Sequence, residues 1–253
     1  MAKNYKKIAQ EVRKKALSMI HKGQTAHIAS NFSVADLAVT LYENLGKNDR
    51  VVWSKGWAAA TTYVLLARRG YFPEKDLDKF PNPPYINLVE FGVPGVETTA
   101  GSMGHGLPVA LGIALGQKKL GNKARVFCIM SDGELNEGTT WESVMIAAHQ
   151  ELDNLTVLVD RNGWQAMGRT EDVLKLEPIE DKFRAFGWNA ARVGGHDYEA
   201  MEKEILKKNS PKKPNVIICD TLKGKGVSFM EDSLVFHYKY VDDEVFRKAM
   251  EEL

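Results

Sequence analysis

Two polar residues, Asp132 and Asn162, each close an apolar run, and their spacing constrains the fold more than any other feature. Asp132 stands in Ser131-Asp132-Gly133-Glu134, directly after Arg125-Val126-Phe127-Cys128-Ile129-Met130. Asn162 stands in Asp160-Arg161-Asn162-Gly163, after the run from Leu155 to Val159. Twenty-nine positions separate Gly133 from Asn162, which leaves room for one helix between two parallel strands. Both side chains then sit at the carboxyl ends of neighbouring strands, where open α/β sheets bind their ligands. A carboxylate and an amide oxygen held there suit a hard divalent cation such as Mg²⁺, with a phosphorylated ligand completing its octahedron. The plainer reading of Asp132-Gly133 is a strand-to-loop turn, and these residues taken alone do not decide between the two.

The rest of the chain keeps the same alternation. Ile8, Val12, Met19 and Ile20 give a helical period over residues 3–22, and Ser33 with Asp36 reads as a capping-box start to a second helix running through Leu45. Val51-Val52-Trp53 reads as a short strand, followed by a helix ending near Gly70. Helices are expected around 104–120, 139–150, 179–186, 197–208 and from Asp242 to Leu253, with strands near 125–131, 155–160, 188–193 and 215–221. Continuous apolar strands joined by helical crossovers predict an α/β fold, a parallel sheet covered by helices on both faces. Residues 80–100, rich in Pro and Gly, form a loop long enough to suggest a functional role. With no break in composition, residues 1–253 read as one domain.

Composition excludes several classes of partner. A net charge of +1 with scattered Lys, Arg and His offers no basic face for nucleic acid or an anionic membrane. There is no apolar stretch of about 18 residues to span a bilayer, and Ala2-Lys3-Asn4-Tyr5-Lys6-Lys7 leads into no signal-like core. Cys128 and Cys219 both fall in apolar runs and read as small buried hydrophobes in a reducing cytoplasm.

The segment from Ser131 to Thr170 resembles the thiamine-diphosphate motif, and the chain as a whole resembles the N-terminal half of transketolases. Thr99-Ala100-Gly101-Ser102-Met103-Gly104-His105-Gly106, Asp160 to Gly168, Leu176-Glu177-Pro178-Ile179, Phe186-Gly187-Trp188 and Lys223-Gly224-Lys225-Gly226-Val227-Ser228-Phe229 carry that resemblance in order and spacing. It implies a fold of the diphosphate-binding type, with thiamine diphosphate and Mg²⁺ as cofactors. Asp132, Asn162 and the backbone carbonyl of Trp164 would be the metal ligands. Gly133 would let the backbone pass close to the diphosphate. Gly101, Ser102 and Met103 would lie against the aminopyrimidine and thiazolium, with Ala166 also at the cofactor. His27 and His237 match histidines that donate hydrogen bonds and relay protons. Glu137 matches a glutamate facing the pyrimidine-binding domain; its residue-level reading is a first-turn helix glutamate. Glu134 reads as an acidic residue in a solvated or cation-adjacent loop, and His196 as part of the turn before a helix capped by Asp197.

Departures from the family pattern concern the sugar pocket. In Ser54-Lys55-Gly56-Trp57, Trp57 stands where the resemblance leads one to expect a histidine; the loop at Leu88 lacks another; His105 replaces a common glutamine and is expected to take over part of their role. The aminopyrimidine-activating glutamate and aromatic clamp belong to a second domain, for which the chain has no room after Leu253. The expectation is therefore the diphosphate-binding subunit of a split transketolase, moving a two-carbon ketol unit from a ketose or ketose phosphate to an aldose, with a separate pyrimidine-binding subunit in an α2β2 assembly. The alternatives are the α subunit of a 2-oxoacid dehydrogenase, a deoxyxylulose-phosphate-synthase-like enzyme, or a non-catalytic scaffolding subunit.

Overall fold

The computed structural model describes residues 4–208 and 210–253. Its helices and strands follow one another as α1 (Tyr5–Gly23), α2 (Ile28–Tyr42), β1 (Arg50–Trp53), α3 (Ala59–Arg68), α4 (Gly106–Lys119), β2 (Val126–Ser131), α5 (Gly138–His149), β3 (Leu155–Arg161), α6 (Thr170–Val173), α7 (Ile179–Ala185), β4 (Asn189–Gly194), α8 (Tyr198–Leu206), β5 (Asn215–Asp220), α9 (Val235–Tyr238) and α10 (Asp243–Glu252). Among the described residues the strands form one sheet in the order β1-β2-β3-β5-β4, and every pair is parallel. Lys3, in the expected first helix, and Ala2 lie outside the described residues.

Alternate residues of each strand enter opposite cores, as the twofold pleat requires. Phe127, Ile129, Leu158, Ile217 and Cys219 pack among α1, α2, α3 and α8. Val126, Cys128, Met130, Val157, Val159, Val216 and Ile218 pack among α4, α5 and α7. Both faces are covered, which is why these strands are apolar throughout. Both cysteines are buried and free.

One helix departs from expectation. α2 begins at Ile28, and Ser33 and Asp36 lie inside it rather than at its start. All fifteen of its residues are buried, so it is apolar on most sides and carries no amphipathic stripe to mark its ends. Its polar residues have buried partners instead: Ser33 Oγ donates to Asp160 at 2.7 Å, and Asp36 accepts from the two terminal guanidinium nitrogens of Arg13 at 3.0 and 2.8 Å.

Candidate active site

β1, β2, β3 and β5 end side by side, and the segments that follow them wall a cavity of about 640 Å³. His27, His237, Glu137, His105, Gly101, Ser102, Met103, Gly133, Glu134, Asn162, Trp164 and Ala166 all line it. Asp132, only 1% exposed, stands directly behind the lining. The residues named from sequence thus converge on one place.

Asp132 opens the 3-10 turn Asp132–Asn136 after β2. Its carboxylate accepts from Gly133 N at 3.0 Å, Gly163 N at 2.9 Å and Thr170 Oγ1 at 3.0 Å. It therefore ties the turn after β2 to the loop after β3, where Asn162 Oδ1 accepts from Trp164 N at 3.1 Å. Gly163 sits at φ +76°, the left-handed region a glycine enters freely, and this lets the loop fold back so that Thr170 N reaches Gly163 O at 3.0 Å. Burial, then the neighbouring Asp160, pushes the Asp132 carboxyl up to about 6. Among the described residues no three His, Cys, Asp or Glu side chains are grouped to hold a metal. A cation at Asp132 would rely on amide, carbonyl and ligand oxygens, a donor set suited to a hard ion.

Glu134 corrects one half of its sequence reading, that of a solvated loop residue. It is 1% exposed and accepts from Ser131 N at 2.9 Å, Ser131 Oγ at 3.2 Å, Gly104 N at 3.3 Å and the Ser54 hydroxyl. Burial pushes its pKa up. Far from being a solvated loop residue, it joins the ends of β1 and β2 to the Gly101–Gly106 segment. The stretch Ala100–Gly106 presses against Ser54 and Gly56, just after β1, closely enough to require glycine at both contacts. A Cβ on Gly56 would lie 2.3 Å from the carbonyl of Ala100, and one on Gly106 would lie 2.4 Å from Ser54 Cβ. Glu137 takes the N-cap position of α5 rather than its first turn. His105 is exposed, its Nδ1 3.0 Å from the Met103 carbonyl.

The histidines meet above a buried cationic floor. His27 stacks on Trp57 with ring centroids 4.2 Å apart and planes at 16°, and meets His237 edge-on at 4.9 Å. Its Nδ1 is buried without a partner. Lys223, 1% exposed, lies with Nζ 2.8 Å from His237 Nδ1. An ammonium can only donate, so Nδ1 accepts and the His237 proton belongs on Nε2. Burial first, then Lys223, lowers His27 to about 4 and His237 to about 3. Both imidazoles are neutral at physiological pH, and each has one N–H to donate. Burial and then Lys55 lower Lys223 to about 8. Lys55 closes an ion pair with Asp160 and donates to Ser33 Oγ at 3.1 Å. Burial works to raise Asp160, but Lys55, Thr221 and Ser33 outweigh it and keep the carboxyl below its usual range.

Ser30, Lys55, Gln165, Met167, Lys223 and Tyr238 also line the cavity and were given no role from sequence. Lys55 and Lys223 were visible inside quoted motifs, but a lysine beside glycine reads as solvent-facing. Only the fold shows both ammonium groups buried.

The chain matches the family described as transketolase, thiamine diphosphate binding domain, over residues 4–251. It is 35% identical over 244 residues to an apulose-4-phosphate transketolase subunit of Actinobacillus succinogenes, covering 90% of this chain and 87% of that one. It is 34% identical over 259 residues to the 6-deoxy-6-sulfo-D-fructose transketolase subunit SqwG of a Clostridium species, covering 97% and 94%. The crystal structure of transketolase from Campylobacter jejuni superposes on all of this chain with a TM-score of 0.92 and 27% identity, and the chain spans 43% of that protein.

Proposed function

Because the chain belongs to the transketolase thiamine diphosphate binding family, we propose that residues 1–253 form a single domain that binds thiamine diphosphate with Mg²⁺ and serves as one half of a split transketolase. The observation that carries this reading is the joining of Asp132 to the Asn162-Gly163 loop beside a cavity floored by Lys55 and Lys223. Two of its relatives are named as subunits of transketolases, which supports a separate partner subunit; the partner would bind the pyrimidine, in an α2β2 assembly. The substrates are a ketose donor, phosphorylated or not, and an aldose acceptor. Two free, buried cysteines favour a reducing cytoplasm, and no helix among the described residues is long and apolar enough to cross a membrane.

Asp132, the Asn162 side-chain oxygen and the Trp164 carbonyl would hold Mg²⁺. The buried ammonium groups of Lys55 and Lys223 would face the diphosphate. Gly133 would pass beside it, and Gly101, Ser102, Met103 and Ala166 would lie along the rings. When bound, the cofactor supplies carbanion stabilisation after a carbon–carbon bond is broken. The chain's own groups do the rest. His27 and His237, both neutral, donate N–H to sugar oxygens and hold a proton there, His237 through Nε2. His105 reaches the cavity rim. Trp57 walls the donor side and shields His27 from water. Glu137 faces the region that the partner's domain would cover.

The test is calorimetric titration of thiamine diphosphate with and without Mg²⁺. Asp132→Ala is expected to abolish Mg²⁺-dependent binding, because it removes the charged ligand while the diphosphate stays anionic. Unchanged affinity and metal dependence would place the cofactor elsewhere. With the partner present, turnover of pyruvate in place of a ketose would favour a 2-oxoacid enzyme.

A further inference from the structure

We propose that His196, which does not line the cavity, is the positioning residue that sets Lys223 in its floor. A lysine on a flexible four-carbon stem is placed by the backbone that carries it. Here that backbone has just left β5 and belongs to no helix or strand, so its N–H groups need acceptors from elsewhere. Thr221 N donates to Arg161 O at 3.1 Å and Gly224 N to Ala29 O at 3.1 Å. Between them, the N–H of Leu222 donates to His196 Nε2 at 2.8 Å. Of these three bonds, this one alone is met by a side chain.

That bond fixes the histidine's proton. Since Nε2 accepts, the proton is on Nδ1, which donates to Asp36 Oδ2 at 2.6 Å. Asp36 is anchored in turn by the two terminal guanidinium nitrogens of Arg13 on α1 and by the Tyr198 hydroxyl on α8 at 2.5 Å. Burial works to raise Asp36, but His196 and Arg13 hold it well below the usual carboxylate range. It therefore remains ionised and keeps the Nδ1–H tautomer in place. The turn that carries His196 is pressed onto the same peptide. Gly195 N donates to Asp220 O at 2.7 Å, and a Cβ on Gly195 would meet Thr221 Cγ2 at 2.4 Å. The chain Arg13–Asp36–His196–Leu222 thus carries the rigidity of α1 and α2 to the residue next to Lys223. Partner groups of this kind govern how a site residue is oriented.

The meaning of Lys223 rests on the cofactor reading above, but its placement can be measured without any cofactor. His196→Gln retains an oxygen for Leu222 N–H and an amide N–H for Asp36; His196→Leu retains neither. Amine acylation read by peptide mass is expected to leave Lys223 protected in the wild type and in His196→Gln. In His196→Leu its labelling should rise about tenfold, the scale of one lost hydrogen bond in a buried setting. Lys55, buried in the same floor but tied to Asp160, should stay protected in all three. Equal protection of Lys223 in His196→Leu would overturn the proposal, and so would parallel labelling of Lys55, which would mark general loosening. If His196→Leu does not fold, nitrogen NMR of the wild-type imidazole decides: a protonated Nε2 would overturn the assignment. Titration with Mg²⁺ and inorganic pyrophosphate separates the two readings. Weaker binding in His196→Leu than in His196→Gln supports the positioning role, whereas a wild type that binds no pyrophosphate sinks the cofactor reading and leaves the labelling result to judge His196.

Discussion

Trp57 stands where the resemblance drawn from sequence leads one to expect a histidine, and its contacts indicate what an indole does there instead. An indole can donate one hydrogen bond and offer a face, but it cannot carry a proton at neutral pH. Stacked on His27, it shapes the donor wall without contributing to the metal end. Trp57→His is therefore expected to alter ketose preference more than thiamine diphosphate affinity, as kcat/KM over phosphorylated and unphosphorylated ketoses would show. A uniform loss across the panel would mark it as a packing residue. The paired histidines make a second, pH-dependent prediction. Their folded pKa values lie below the unfolded value of 6.5, so between pH 6.5 and about 4 the unfolded chain binds protons that the folded chain refuses. Stability should fall as pH drops through that window, by about 2 kcal/mol for the pair after allowing for solvent access. His27→Gln with His237→Gln should flatten the decline, as urea midpoints measured at successive pH values would reveal.

Among the elements, the join between the residues that follow β1 and the stretch Ala100–Gly106 leaves no space for a side chain at Gly56 or Gly106. Gly56→Ala forces a Cβ against the backbone of Ala100, and no flexible side chain is there to yield. The expected cost is about 1–3 kcal/mol, read by denaturant unfolding, with weaker cofactor binding as the segment lifts. The sequence made most elements legible to within a few residues because strand and helix periods are local signals. α2 was misread because burial on every side erases the stripe that marks a helix. Its polar residues look like a cap until their partners appear, and those partners are remote: Ser33 meets Asp160, and Asp36 meets His196. Glu134 and Lys223 were obscure for the same reason, since burial of a charged side chain is a property of the assembled ends of several strands. The cavity-facing histidines and glycines were found through motif order, which preserves spacing even where partners are distant.

For the molecule as a whole, Met103 and Met167 at the cavity and Met145 and Ile146 on α5 are exposed apolar side chains. Leu107, in the first turn of α4, is fully buried. Exposed apolar surface favours association. Alone, the chain is expected to be folded, self-associating and inactive. Adding the pyrimidine-binding partner should restore ketol transfer and tighten thiamine diphosphate binding together, followed by activity alongside light scattering. Full activity from the pure chain would remove the case for a partner. The floor beneath that mouth has a further consequence. It holds three buried carboxyl groups, Asp132, Glu134 and Asp160, against two buried ammonium groups, Lys55 and Lys223. A diphosphate arriving unaccompanied would find no surplus of positive charge to receive it. On the proposed reading, anion and divalent cation would enter and leave as one neutralising unit, and a chelator acting on the metal alone is expected to release both.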